Sequence, residues 1–373
     1  MRVAQVCPYS LSIPGGVQGQ VLGLARALRR AGHEVTVLAP SDGPPPEPGV
    51  RSLGRSVPLA ANGSVAPIAP DLACALRTIA ALRDGAYEVL HLHEPMVPGP
   101  TLTALLYSDL PVVGTFHRSG ASSAYAGFGP LLVRWARRID IRAAVSEDAR
   151  HTAESALGGD YRMLFNAVDL QAFRGPSPTP TPGPTVFFIG RHEERKGLAV
   201  LLEAVSRLVD PPTLWVAGDG PQTAELRSRY RDLAAVTWLG RISDSERASR
   251  MKGADVCCFP SLRGESFGLV LLESMAAGTA VVAGDIDGYR HVISNGSNGL
   301  LVPPGDPGAL ATALSRVLGD SALRAQLTCA GADSAAGYSM DRLAVAYGEM
   351  YCELAGKKKG RPGGRPFFLH SAR

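Results

Sequence analysis

The chain has 373 residues, 45% of them apolar and 19% charged, a length beyond what one hydrophobic core usually supports and a composition typical of an ordinary globular protein with two domains. No apolar run is long enough to span a bilayer, and the opening MRVAQV (1–6) starts a strand instead of a signal peptide, so a cytoplasmic location is expected, with peripheral membrane contact allowed. The formal charge of +4 comes from the last 17 residues, which hold six Lys/Arg and no acid; without them 32 basic residues face 34 acidic ones, and this excludes nucleic acid as the partner of the folded body.

Short apolar strands alternate with amphipathic helices from the first residue. Val3–Val6 is a strand, a turn-rich stretch follows from Pro8 to Gly16, and Val21, Leu22, Leu24, Ala25 and Leu28 form a helical stripe that ends at Gly32. Strands at Glu34–Leu38, Val89–Leu92 and Pro111–Phe116 come next. The segment GPSPTPTPGP (175–184) carries five prolines among small residues; it lacks ladder donors and reads as an interdomain linker. The alternation restarts with strands at Thr185–Ile189, Thr213–Ala217, Val236–Leu239, Asp255–Phe259 and Thr279–Ala283. Helices at Leu198–Leu208, Ala224–Leu233, Glu246–Lys252 and Gly268–Ala277 separate them, and Asp341–Leu354 closes the fold. The predicted class is α/β: two Rossmann-like domains facing each other across a cleft, with ligands at the carboxyl ends of the strands. Their bounds are 1–174 and 185–340, joined by 175–184 and followed by a closing helix over 341–356 and a disordered basic tail over 357–373.

Three segments carry chemistry. Gly15 and Gly16 lie between the first strand and the first helix, where glycine lets backbone N–H groups approach an anion; a plain tight turn is the alternative. In GRHEERKG (190–197), Arg191 and Lys196 flank a turn after a strand. An arginine that grips bidentately and a lysine that supplies a point charge suit a diphosphate, and a solvated loop is the alternative. ESFGLVLLE (265–273) is the most specific signal, with Glu265 and Glu273 bracketing a glycine-led helix; a buried, paired glutamate is the alternative. The spacing of eight residues, a little over two turns, places Glu273 near the face that Glu265 approaches. Backbone N–H groups at Phe267, Gly268 and Leu269 suit phosphate at the helix start.

These segments, with GDG (218–220) and MAAGT (275–279), resemble the family-four retaining glycosyltransferases of the GT-B fold over about residues 1–355. VCPYS (6–10), PGGVQ (14–18), NGSVA (62–66), HLHEP (91–95) and TFH (115–117) are similar to the phosphatidylinositol mannosyltransferases of actinobacteria. The resemblance implies transfer of mannose from GDP-mannose to phosphatidylinositol or a related lipid, at the inner membrane leaflet, with no metal and no cofactor beyond the nucleotide sugar. It implies that Arg191 and Lys196 neutralise the GDP leaving group, that Glu265 positions the mannose and Glu273 the ribose, and that Gly15, Gly16 and Gly218 belong to the donor site. His117 falls beside the reacting centre, and Tyr9, Gln18, Asn62 and Ser64 fall on the acceptor side. Pro67 stands where those relatives carry an arginine, and the helix over 72–83 offers only Arg77 and Arg83 where they are lysine-rich.

Two other patterns are discounted as metal sites. His91 and His93 occupy alternate strand positions, which are taken to diverge and to serve a structural or acceptor-side role. Asp285 and Asp287 are taken as loop caps. The six cysteines form no CxxC pair, and Cys257 and Cys258 read as small buried residues. Besides the lipid mannosyltransferase, two readings stay open here. One is a transferase of the same fold with a UDP-linked sugar or a soluble acceptor such as an inositol phosphate or a natural-product aglycone. The other is a non-catalytic sugar-nucleotide-binding paralogue.

Overall fold

The computed structural model describes residues 1–13, 15–61, 64–118, 129–265 and 267–358. They form two compact units, one built from residues 1–167 with the helix Met340–Lys358, the other from Val168–Ser339.

The first unit holds a seven-stranded parallel sheet in the order Val50–Ser52, Glu34–Ala39, Arg2–Val6, Val89–His93, Val112–Phe116, Ile141–Ala144, Arg162–Met163. Because strand side chains alternate between faces, each central strand supplies both layers of the core. Val3, Val37, Val89 and Val113 face a layer that includes Leu24 and Leu28 of the helix Gly16–Arg30 and Tyr347 and Leu354 of the helix Met340–Lys358. Ala4, Leu38, Leu90 and Phe116 face the opposite layer with Leu82 and Leu105. A two-stranded antiparallel sheet, Val57–Ala61 with Ser64–Ile68, is tied to the loop after the first strand by the amide of Ser10, which donates to Pro67 O at 2.8 Å.

The second unit repeats the plan with six parallel strands: Val236–Gly240, Thr213–Ala217, Thr185–Ile189, Val256–Phe259, Ala280–Gly284, Leu300–Val302. Val186, Phe188, Leu214, Val216, Val256 and Cys258 meet Leu201, Leu202, Leu310 and Leu314 on one face. Cys257 and Cys258 are both buried and unpaired, and burial raises the Cys257 thiol to about 12.

The chain crosses between units at Ala167–Val168 and again at Ser339–Met340, and the proline-rich segment 175–184 lies within the second unit. Its backbone is held there: Thr179 N–H donates to Ser249 O and Lys252 Nζ to Pro176 O, each at 2.9 Å. A side chain at Gly253 would meet Thr179 O at 2.2 Å. Prolines that cannot join a ladder still pack and accept hydrogen bonds, so composition alone did not separate a linker from a packed strap. The closing helix belongs to the first unit because Tyr347 and Tyr351 reach a buried polar cluster there. His91 Nδ1 lies 2.7 Å from the Tyr351 hydroxyl, His91 Nε2 lies 2.8 Å from Thr115 Oγ1, and Thr115 Oγ1 lies 2.8 Å from the Tyr347 hydroxyl.

Tyr351→Phe removes the partner of a buried ring nitrogen, and the expected loss of stability is about 1–3 kcal/mol. Urea unfolding of the variant checks this; a midpoint equal to that of the parent protein would show that the pair contributes nothing.

Candidate functional site

The carboxyl ends of the second sheet gather the charged residues singled out from the sequence. After the strand Thr185–Ile189, the 3-10 turn Glu194–Lys196 ends on Gly197, whose φ is +70°, and the helix Leu198–Ser206 begins. A side chain at Gly197 would meet Pro260 O at 1.9 Å, so the turn sits directly against the segment that follows Val256–Phe259. That approach brings Lys196 Nζ to 2.5 Å from Glu265 Oε1 across 69 residues of sequence. The same oxygen lies 3.1 Å from Arg195 Nη1 and 3.4 Å from Ser261 Oγ.

Arg191 is placed apart from this cluster. Its side chain is 69% exposed and its Nε lies 3.4 Å from Glu193 Oε2. Glu193 in turn binds Arg195 Nε at 2.7 Å. The order Arg191, Glu193, Arg195, Glu265, Lys196 is therefore a chain of alternating charges. Arg191 also lines a cavity of about 450 Å³ with Asp219, Gly220, Pro221 and Arg241. Gly218 has φ +111°, and a side chain there would meet Gly190 O at 1.9 Å, so its role in the fold is the close packing of two strand-end turns.

Glu273 does not share partners with Glu265. It sits in the helix Leu269–Ala276 and pairs with Arg247 Nη2 at 3.4 Å. Burial raises the Glu273 carboxyl; Arg247 lowers it and Asp244 raises it. Gly268 caps that helix in the left-handed region with no side-chain hydrogen bond, and Leu269 is its first residue. The Phe267 side chain is buried and packs edge-on against Tyr338, with ring centroids 5.5 Å apart, so only its backbone can serve an anion. Arg195, Arg247 and Ser261 were missed in the sequence because nothing local marks them: each is an ordinary polar residue in a turn, helix or loop until the fold supplies its partner.

In the first unit His117 follows the strand Val112–Phe116. Its Nε2 lies 3.0 Å from His93 Nδ1, and the His91 and His93 rings stack with centroids 4.2 Å apart. The expected divergence of His91 and His93 is thus corrected: positions two apart on a strand share a face, because the side-chain period is two. Glu94, also missed, adopts φ +51° and buries a carboxylate whose Oε1 accepts the backbone N–H groups of His117 at 2.6 Å and Arg118 at 2.7 Å.

Burial drives the His93 ring well below its ordinary value, helped by His91 and His117. It lowers His91 to about 3 and His117 to about 4, in the latter case against a raising hydrogen bond with the Asn166 side chain. Burial raises the Glu94 carboxyl, opposed by the two backbone N–H groups.

Of the residues expected on the acceptor side, Gln18 is buried and donates to Ile13 O at 3.1 Å and Ser10 O at 3.4 Å, so it braces its own loop. A side chain at Gly15 would meet Gln18 Oε1 at 2.4 Å, whereas at Gly16 it would meet nothing within 4 Å. Tyr9 is half-buried and bridges to Ile68. Asn62 and the side chain of Ser64 lie outside the described residues, as do Pro14, Ser266 and the tail from residue 359. Asp285 and Asp287 both bind Arg290, at 2.7 and 3.1 Å; they clamp a guanidinium and do not cap the helix Asp287–Arg290, which has no side-chain cap bond. Among the described residues no group of three His, Cys, Asp or Glu side chains is placed to hold a metal ion.

Residues 14–172 match the family described as Glycosyltransferase Family 4, and residues 183–320 match Glycosyl transferases group 1. The chain is 44% identical over 336 residues to the phosphatidyl-myo-inositol mannosyltransferase of Mycolicibacterium smegmatis, covering 87% of this chain and 86% of the relative. It is 40% identical to that of Mycobacterium tuberculosis, covering 95% and 98%. Among solved structures it is similar to sucrose-phosphate synthase from Thermosynechococcus elongatus, with TM-score 0.72, 22% identity and 95% and 99% of the two chains covered. It is also similar to HepE of Anabaena in complex with UDP, with TM-score 0.70, 18% identity and 95% and 100% covered.

The histidines yield a signed expectation. Neutral rings in the fold regain protons in the unfolded chain below about pH 6.5, so stability is present above that pH and lost as pH falls towards about 4, by at most ~1.4 kcal/mol per ring and pH unit. The raised Glu94 carboxyl offsets part of this. Ring-proton NMR should show His91, His93 and His117 neutral from pH 8 to pH 5; a midpoint near 6.5 for any of them would contradict the buried assignment.

Proposed function

We propose that this chain, which belongs to the family-4 glycosyltransferases of the GT-B fold and within them to the phosphatidyl-myo-inositol mannosyltransferase group, transfers a mannosyl residue from GDP-mannose to phosphatidylinositol. The observation that carries the donor half is the meeting of Lys196 and Glu265 beside the start of the helix Leu269–Ala276. A cation and a helix N-terminus favour a diphosphate, and an adjoining carboxylate accepts sugar hydroxyls. The acceptor half is supported by the named activity of the relatives.

In this reading the bond between mannosyl C1 and the β-phosphate oxygen breaks with its electron pair going to the phosphate. A new bond forms from the inositol hydroxyl to C1 on the same face, and the hydroxyl proton passes to the departing phosphate oxygen. Charge therefore develops on the diphosphate, where Lys196, the exposed Arg191 and the helix start stabilise it. Glu265 orients the mannose and Glu273 the ribose, while His117, held neutral between His93 and Asn166, stands beside the acceptor without bringing a charge. No metal is required, because these cations do the neutralising.

An apolar face supports membrane contact. Leu72 and Leu76, one helical turn apart on the helix Leu72–Asp84, are 74% and 58% exposed, and Val57 and Leu59 of the preceding hairpin are about half exposed. Arg77 and Arg83 are turned to Leu53 O and the Tyr107 hydroxyl, so the contact is apolar more than basic. Each leucine buried in lipid contributes on the order of 1.5–3 kcal/mol.

Calorimetry with GDP and UDP, followed by GDP-mannose turnover with and without phosphatidylinositol vesicles, tests the reading. Tighter GDP binding and lipid-dependent transfer that survives EDTA are expected. A preference for UDP overturns the donor, GDP binding without lipid-dependent transfer overturns the acceptor, and loss in EDTA restored by Mg²⁺ overturns the metal-free chemistry. Leu72→Asp with Leu76→Asp should weaken vesicle binding at least tenfold, as about 3 kcal/mol of lost burial implies, and leave GDP affinity unchanged; unaltered flotation with vesicles would place the membrane contact elsewhere.

A further inference from the structure

We infer that Arg195 is a positioning residue that holds the Glu265 carboxylate when Lys196 leaves it for the donor diphosphate, an inference that rests on the donor site proposed above. One oxygen, Glu265 Oε1, takes Lys196 Nζ at 2.5 Å and Arg195 Nη1 at 3.1 Å. The Lys196 charge is then already neutralised, and a diphosphate must compete with Glu265 for it. A lysine ammonium is a point charge on a flexible stem and can change partners by rotating. If it were the sole support of Glu265, each donor bound would strip the sugar-holding carboxylate of its cation in a partly buried place, where an unpaired charge is costly.

Arg195 is built differently. Its Nε lies 2.7 Å from Glu193 Oε1, its Nη1 donates to Gly264 O at 3.0 Å, and its own carbonyl accepts the Leu262 N–H at 2.8 Å. It thus straps the loop over 262–265 to the 3-10 turn at both ends and presents one fixed N–H to Glu265. A planar guanidinium held by Glu193 and by Gly264 O, on a residue whose own backbone is fixed to Leu262, keeps its place when the neighbouring lysine swings away. The geometry gives the two cations separate tasks: Lys196 follows the phosphate, and Arg195 stays with the carboxylate.

A double-mutant cycle on GDP binding by the full chain separates this from the alternatives. Glu265→Gln frees Lys196 and should tighten GDP binding about three- to tenfold while mannosyl turnover collapses. Arg195→Gln leaves Lys196 as the one cation on Glu265 among the described residues and should weaken GDP binding about tenfold. Adding Glu265→Gln to Arg195→Gln should restore GDP affinity to at least that of the unmodified protein, and Arg195→Lys should recover part of the turnover. Circular dichroism and thermal melts of each variant report folding, and restoration in the double variant itself rules out an unfolded single one. A double variant as weak as Arg195→Gln would make Arg195 a direct phosphate ligand and overturn the inference, as would Glu265→Gln with unchanged or weaker GDP affinity. Failure of the unmodified protein to bind GDP would instead remove the donor-site reading beneath it.

Discussion

The carboxylate of Glu265 and the two cations on it constrain everything around them at the carboxyl ends of the second sheet. A carboxylate largely hidden from water is unfavourable unless it is paired and hydrogen-bonded, so the turn Glu194–Lys196 must lie against the loop that carries Glu265. That demand explains the absence of side chains at Gly197 and Gly288: a side chain at Gly288 would meet Glu265 O at 1.9 Å, as close as one at Gly197 would come to Pro260 O. Ser261 extends the same cluster inward, where its hydroxyl lies 2.9 Å from that of the buried Tyr289. The packing of backbone on backbone fixes the charges, and the charges in turn hold two segments far apart in sequence. For the donor site proposed above, such an arrangement means preorganisation: cations already fixed by the fold would meet an anion by exchanging partners instead of ordering a loop.

The first unit solves a different problem with uncharged groups. His91, His93 and His117 stand in a row in which burial keeps the rings neutral. Thr115, Tyr347 and Tyr351 supply hydroxyl partners, so the closing helix Met340–Lys358 is tied to the strand that leads to His117. Glu94 adds the second constraint by accepting two successive backbone N–H groups at the end of the next strand. Its left-handed backbone is the sort of local strain that persists where surrounding contacts over-determine it. The ring of His117 is therefore held by a histidine stack on one side and by its own backbone on the other.

The two crossings of the chain give this architecture its economy. The second unit is inserted between Ala167 and Met340 of the first, so the last helix returns to the sheet formed by the first residues. Gln20 marks how tightly that junction is kept on the first-unit side: its amide both donates to Ala167 O and accepts Ala167 N–H at 2.8 Å. The proline-rich segment, although its composition reads as a connector, is secured to the helix Asp244–Gly253 of the second unit.

How much was legible in the sequence follows from the range of each interaction. Strands such as Thr185–Ile189 and Thr213–Ala217, and the helical stripe from Val21 to Leu28, show their period within a few residues, and the structure has them at nearly those bounds. The short edge strands Val50–Ser52, Arg162–Met163 and Leu300–Val302 were not legible, because two or three residues carry no period and take their form from a neighbouring strand. The glutamates at 265 and 273 and the basic turn at 191–196 were identified as chemistry because glycine-led helices and charged strand ends have local signatures. Which cation meets which carboxylate was decided by tertiary structure: Arg195 and Lys196, not Arg191, reach Glu265, and Arg247, not a nearer residue, reaches Glu273. Sequence by itself determined the α/β plan and the residue types at the proposed donor site, since these rest on backbone period and side-chain chemistry. The pairing of charges, the sharing of one face by His91 and His93, and the place of the closing helix rest on contacts across tens to hundreds of residues, which only the folded chain brings within a few ångströms.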